Sequence, residues 1–226
     1  MLKLGLGLSL SNIKNMGSWK PTDETSLVAW YQNKVGITLN GSDVSEWADS
    51  SSNSHDMVQA TATEQPAYDA STGNLNFVAA DTNNLQTTSQ ISLSGAFTIG
   101  IKFNPDIVNT VLLADNTAAN EFIKYTSTTR INIKMDGTNV SLDLDSGTIG
   151  DGYILLTRDS SNLITLFHNG VAQSGTQTLA GTSDIDAIGV RKTDINAYDG
   201  DISEIQIYND TSTSLTSYVR DYFGNI

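Results

Sequence analysis

The first ten residues, MLKLGLGLSL, place leucine at every even position from Leu2 to Leu10, with Lys3, Gly5, Gly7 and Ser9 between them. Side chains alternate faces along a strand, so this is one apolar stripe backed by small or charged residues. The two-residue period recurs further on. In AFTIGIKF, Phe97, Ile99, Ile101 and Phe103 share one face and Thr98, Gly100 and Lys102 the other, which predicts a half-buried strand. In INIKMDGTNVSLDL, Ile131, Ile133 and Met135 alternate up to Asp136-Gly137, and Val140, Leu142 and Leu144 alternate after it. Asp-Gly tolerates the positive φ of a primed turn, so this stretch predicts a hairpin. LITLFHNGVAQSG repeats the device around Asn169-Gly170. Only near the C-terminus does the period change. There Leu215, Val219, Tyr222 and Phe223 fall at helical spacing, with Ser212 or Thr213 as N-cap and Gly224 as a stop.

Many short strands and one terminal helix predict an all-β, antiparallel β-sandwich or jelly roll with a short C-terminal helix. The polar stretch 11–26, which holds Gly17, Pro21 and a lone Trp19 anchor, reads as a linker. The expected organisation is an extended N-terminal arm and linker over 1–26, followed by one jelly-roll domain over 27–226.

Charge and composition narrow the partners. The 226 residues carry a formal net charge of −13, which argues against nucleic acid, whose phosphates select basic faces. Cysteine is absent, so disulfides and thiolate metal sites are excluded and folding in a reducing cytoplasm fits. The leucine arm has one positive charge, is interrupted by Gly5 and Gly7 and is followed by no A-x-A site, unlike a signal peptide. No later stretch is long and apolar enough to span a bilayer, so no membrane partner is expected.

Two stretches carry a resemblance. SLVAWYQNKVGITLNGSDVSEWADSSSNSHDMVQ contains a W-x-D-x-S-x-N turn at Trp47, Asp49, Ser51 and Asn53. The second runs through Thr157-Arg158-Asp159, Asn169-Gly170-Val171, Ile188-Gly189 and the G-x-I-x-E-I-x-I-Y of Gly200 to Tyr208. Together they resemble concanavalin A-like, laminin G-like jelly rolls over about residues 27–223. That resemblance implies the fold; lectins, glucanases, adhesion modules and viral structural proteins all use it. The glycine- and leucine-rich arm resembles the starts of structural proteins of tailed bacteriophages, marine ones especially.

Candidate chemistry is sparse. Asp199, Asp201 and Glu204 reproduce the spacing of the E-x-D-x-x-E of laminarinase-type glucanases of this fold, with Asp in first place; Asp199 and Asp201 share a face, and Glu204 joins them only if a bulge intervenes. We read the stretch instead as the closing strand of a non-enzymatic domain, Glu204 fixing local backbone or pairing with an arginine such as Arg158. Asp49, Asn53 and Asp56 offer the hard oxygen ligands that calcium takes, although Asp, Ser and Asn also build turns by bonding their own backbone. No other cofactor is implied. His168 shares a face with Ile164 and Leu166 and reads as a hydrogen-bonded core position. Trp30 and Trp47 read as core, and Trp19, Tyr68, Tyr125 and Tyr198 as rings that either pack or stack on sugars.

The arm decides between the functional readings. Burying five leucines represents roughly 7–15 kcal/mol, and an apolar strand can add itself to a partner's sheet edge. The chain's own sheet edge could accept the arm as well; the separate linker favours a partner, which makes Leu2, Leu4, Leu6, Leu8 and Leu10 the expected interface residues. The leading expectation is a virion structural protein, a capsid, neck or tail decoration anchored to neighbouring subunits or to itself and assembled in the host bacterial cytoplasm. The alternative is a lectin-like, carbohydrate-binding adhesion module taking a surface glycan, with calcium as a possible cofactor.

Overall fold

A computed structural model describes residues 19–115, 120–150, 152–191 and 196–226. The arm leucines Leu2, Leu4, Leu6, Leu8 and Leu10 lie outside the described residues, so the arm expectation is not addressed by the structure.

Eighteen strands and one α-helix are described, all strand pairings being antiparallel. One layer runs from Leu27–Tyr31 through Gly200–Tyr208, Phe97–Pro105 and Gly152–Arg158 to Leu163–His168. The facing layer runs from Leu85–Leu93 through Ser183–Ile188, Thr110–Asp115, Asn120–Ser127 and Arg130–Met135 to Thr138–Asp143. Short strands at one edge join the two, for instance through Asp43 opposite Ala67 and Tyr68 opposite Leu75. The main core fills the space between the layers. Ile99, Ile101, Ile154, Leu156, Ile205 and Ile207 meet Leu112, Leu113, Ile123, Ile133 and Ile185 there, all of them inaccessible to solvent. This is the predicted all-β jelly-roll sandwich with its terminal helix.

Both predicted hairpins form. Asp136 and Gly137 have φ of 45° and 81°, and Met135 pairs with Thr138. Asn169 and Gly170 have φ of 47° and 79°, and His168 pairs with Val171. Positive φ at both central residues is the primed geometry that matches strand twist. The helix spans Thr213–Phe223; Ser212 caps it by accepting from the Leu215 N–H at 3.1 Å.

The helix lies on the outer face of the first layer and makes a second, smaller core. Leu215, Val219 and Phe223 pack on Leu27, Trp30, Tyr153, Leu155 and Tyr208. Thr98, Gly100 and Lys102, read from sequence as an exposed face, are therefore the face beneath the helix. The Thr98 hydroxyl donates to Asp210 O at 2.9 Å, and Gly100 faces the Phe223 ring. With both faces covered, every residue from Tyr153 to Arg158 is buried.

Arg158 points into the main core, not toward Glu204. It is fully buried, its guanidinium carbon 5.1 Å from the centre of the Phe97 ring. It donates to the carbonyls of Gly95 (2.7 Å) and Gly181 (2.8 Å). Burial lowers its pKa, as expected for a cation taken out of water. The expected Glu204–Arg158 pair is thus replaced: in an alternating strand the two side chains project to opposite faces of one layer.

Candidate functional site

The chain enters the described structure at Trp19, and that ring packs on the helix. It stacks on Tyr218 with centroids 5.6 Å apart and meets Tyr222 edge-on at 6.2 Å. Its indole N–H donates to Glu24 Oε1 at 3.0 Å, and Pro21 starts a short 3-10 turn whose buried ring ties the segment down. Trp30, from the first strand, meets Tyr222 edge-on at 6.2 Å. Offset and edge-on pairs of this kind hold aromatic side chains in fixed orientations.

These four rings wall a groove of about 660 Å³, completed by Lys20, Thr22, Gln32, Asp221, Asn225 and Ile226. Its character is an aromatic trough with polar groups in its lining. Such a shape suits a ligand with one apolar face and many hydroxyls, because CH groups lie on the rings while hydroxyls reach amides and carboxylates. Sequence reading found Trp19 and the helical tyrosine Tyr222 but not their meeting, since residues 19–30 and 218–226 are joined only by folding.

A buried polar network holds the groove floor. Glu204 is fully buried beneath Trp30. Its Oε1 accepts from Trp30 Nε1 at 2.5 Å and its Oε2 from the Asn33 N–H at 2.6 Å. Gln206 Nε2 lies 3.4 Å from Oε1, and the Tyr208 hydroxyl donates to Gln206 at 2.8 Å. The Tyr222 hydroxyl bonds the same carboxylate. Burial raises the Glu204 pKa above its ordinary value, against the lowering effect of these hydrogen bonds. Tyr222 is pushed upward by burial first and by the Glu204 charge second. Glu204 therefore fixes local backbone, one of its two expected roles, and also orients two groove rings.

A bulge between Ile202 and Glu204 sets Asp201, opposite Asn104, and Glu204, opposite Lys102, on one face of the sheet, and the two Asp carboxylates of the glucanase-like spacing each have hydrogen-bond partners within the fold. Asp199 accepts from the Ala79 N–H at 2.8 Å, and Asp201 accepts from Asn74 at 3.0 Å and Asn76 at 2.9 Å.

Asp49, Asn53 and Asp56 do come together, as a turn brace. Asp49 Oδ1 accepts from the N–H groups of Trp30 (2.9 Å) and Ser51 (2.8 Å). Its Oδ2 accepts from the Ser51 hydroxyl (2.6 Å) and the His55 N–H (3.1 Å). Asp56 Oδ1 accepts from the Asp49 N–H at 2.8 Å, and Asn53 Nδ2 donates to Val28 O at 2.8 Å. The W-x-D-x-S-x-N turn thus fastens the loop to the first strand through its own side chains. Among the described residues, no group of three His, Asp or Glu side chains is placed to hold a metal ion.

The histidines and the other candidate rings are held within the fold, Tyr68 being half-buried against the main core. His168 is half-buried and its pKa is lowered by desolvation; His55 Nδ1 lies 2.6 Å from Ser89 O. Tyr125 and Tyr198 are buried, at 3% and 0% exposure, which removes both as stacking platforms. Trp47 belongs to the main core, as read from sequence, whereas Trp30 belongs to the second core under the helix. No described helix is long and apolar enough to cross a membrane.

No protein-family model and no curated protein matches the chain. Among solved structures it is similar to the binding domain of Paraclostridial Mosquitocidal Protein 1, with a TM-score of 0.59 and 13% identity over 91% of this chain and 53% of that one. It is also similar to a Trypanosoma rangeli sialidase in complex with 2,3-difluorosialic acid, with a TM-score of 0.56 and 12% identity over 89% of this chain and 33% of that one. The chain thus spans about half the length of the first and a third of the second. At such identities the likeness is one of fold alone.

Proposed function

We propose that the chain is a lectin-like carbohydrate-binding module that takes a neutral face of a glycan in the groove between its N-terminal segment and its C-terminal helix. The observation that carries this reading is the convergence of Trp19, Tyr218 and Tyr222 on one trough backed by the buried Trp30, with Gln32, Asp221 and Asn225 also lining it. The polar groups give orientation and the rings give contact area. The solved structures of similar fold include a toxin's binding domain and a sialidase holding a sialic-acid derivative, which favours recognition over the virion-building role. Binding without bond cleavage fits the commitment of Asp199, Asp201 and Glu204 to hydrogen bonds within the fold, since retaining or inverting glycosidases need two carboxyl groups flanking one bond.

Screening the full chain on a glycan array, followed by titration of the best glycan, tests the reading. Trp19→Ala and Tyr218→Ala should each weaken binding by about tenfold or more while staying folded with a Tm lowered by a few degrees, since each also breaks the Trp19–Tyr218 stack, worth about 0.5–1.5 kcal/mol beyond its buried area. A chain that binds no glycan, or variants that bind as wild type does, overturns it.

A further inference from the structure

A second groove, of about 530 Å³, runs along the opposite flank of the helix. Its floor is the outer face of Leu163–His168 and its wall is the helix. Thr165, Thr216 and Ser217 line it, Phe167 forms one end of the floor, and Asp159 stands at the other end. Arg220 closes the groove at the Phe167 end. Its guanidinium carbon sits 5.5 Å from the centre of that ring. Its Nε is buried and has no hydrogen-bond partner among the described residues. The Asn169-Gly170 turn hems the group in, since a Cβ added at Gly170 would stand 3.8 Å from that same Nε.

Three features make this an anion site. The chain holds 12 Lys and Arg against 25 Asp and Glu, yet this guanidinium is docked on a ring. A flat, fixed guanidinium presents parallel N–H donors in the geometry that a carboxylate accepts bidentately. Nε itself is shut off from the groove by its burial, so the two terminal amino groups of the guanidinium are the donors that a ligand oxygen reaches, end-on. The hydroxyls of Thr165, Thr216 and Ser217 continue along the groove and match a polyol. Asp159 marks the far end as negative; its Oδ1 is committed to the N–H groups of Ser161 (2.8 Å) and Leu163 (2.9 Å). A second anionic group there is repelled, whereas a hydroxyl is accepted.

We propose that this groove binds an acidic sugar, its carboxylate on Arg220 and its hydroxyls along Thr165, Thr216 and Ser217. The site is separate from the aromatic groove and does not depend on it. Uronic and sialic acids share the required chemistry, a carboxylate on a pyranose ring, and the titration distinguishes them.

The test titrates isotope-labelled full chain with methyl galactosiduronate, N-acetylneuraminate, neutral methyl galactoside and acetate, following backbone amides and the Arg220 Nε–H by NMR. At least one acidic sugar should bind about tenfold or more tightly than the neutral sugar and than acetate. It should shift the Arg220 Nε–H together with the amides of Thr216 and Ser217. Arg220→Gln should abolish that preference, and Trp19→Ala should leave it intact. Equal affinity for acidic and neutral sugars overturns the proposal, as does acetate binding as tightly as the acidic sugars. A preference lost in Trp19→Ala but kept in Arg220→Gln overturns it too, by placing the acidic sugar in the aromatic groove. If Arg220→Gln does not fold, the wild-type preference and the Arg220 resonance decide the matter alone, an unmoved resonance at saturation being the refuting result.

Discussion

Replacing Gly100 with alanine tests how closely the helix is pressed onto the sheet. A Cβ at residue 100 would lie 2.4 Å from Phe223 Cε2 and 2.9 Å from Cζ, whereas carbon pairs rest at about 3.5–4.0 Å. The ring cannot swing away easily, because Phe223 is only 2% exposed and stacks on Tyr153 with centroids 5.3 Å apart. The last turn of the helix must therefore rise by about 1 Å. Overpacking of this kind costs about 1–3 kcal/mol, a drop in Tm of roughly 2–12 °C for a domain of this size. The assay is a double-mutant cycle by calorimetry over wild type, Gly100→Ala, Phe223→Ala and the pair. Phe223→Ala alone removes a buried ring at a cost of about 3–5 kcal/mol. In the double variant the new methyl enters vacated space, so the pair should be about 1–3 kcal/mol more stable than the two single losses predict. Additivity within about 0.5 kcal/mol would refute the close approach. Because Tyr218 and Tyr222 ride on the same helix, Gly100→Ala should also weaken the proposed glycan binding.

Glu204 makes stability depend on pH. Burial raises its folded pKa above the ordinary glutamate value, so the folded chain holds that proton more tightly than the unfolded chain does. Its contribution is greatest below the unfolded value and is lost as pH rises through the folded one. The Tm of wild type minus that of Glu204→Gln should shrink across that window; a constant difference would count against the assignment. Arg158→Met should cost about 2–6 kcal/mol by chemical denaturation, at about 1–3 kcal/mol for each of the Gly95 and Gly181 carbonyls left without a donor; a loss under about 1 kcal/mol would contradict the brace. Asp49→Ala removes four hydrogen bonds from one turn and should lower stability by about 2–4 kcal/mol. Millimolar calcium should leave the wild-type Tm unmoved, since both Asp49 oxygens are already in use; a rise of several degrees would reinstate a calcium site.

The parts of this fold that were legible in the sequence are those set by neighbouring residues. Asp136-Gly137 and Asn169-Gly170 announce their hairpins because positive φ is a local requirement, and Ser212 announces the helix because a cap acts over three residues. What escaped depends on distant chain segments covering one another. Thr98, Gly100 and Lys102 looked like a solvent face because alternation reports what one sheet face buries and says nothing of a helix laid on the other. Tyr198 looked available for stacking but lies under Phe77, with centroids 5.8 Å apart. Glu204 was singled out correctly as a fixing residue, yet its partner proved to be an indole 174 positions away rather than a guanidinium. Both grooves were invisible for the same reason: each is the gap between the helix and a strand or segment far from it in sequence.

The first and last strands of the described sandwich lie side by side, Leu27 opposite Tyr208, with the Asn209 N–H on Ser26 O at 2.9 Å. This fixes how the fold bears tension. The start of one strand and the finish of its antiparallel neighbour sit together, so a pull on the two ends spreads them apart instead of sliding one along the other. The rungs then open in succession, starting at Leu27, and each carries the load alone. The same pull first strips the helix, and with it the tyrosine walls of the aromatic groove. Adhesion through that groove would yield under modest traction along the chain ends, and would hold better when the load enters through the far layer.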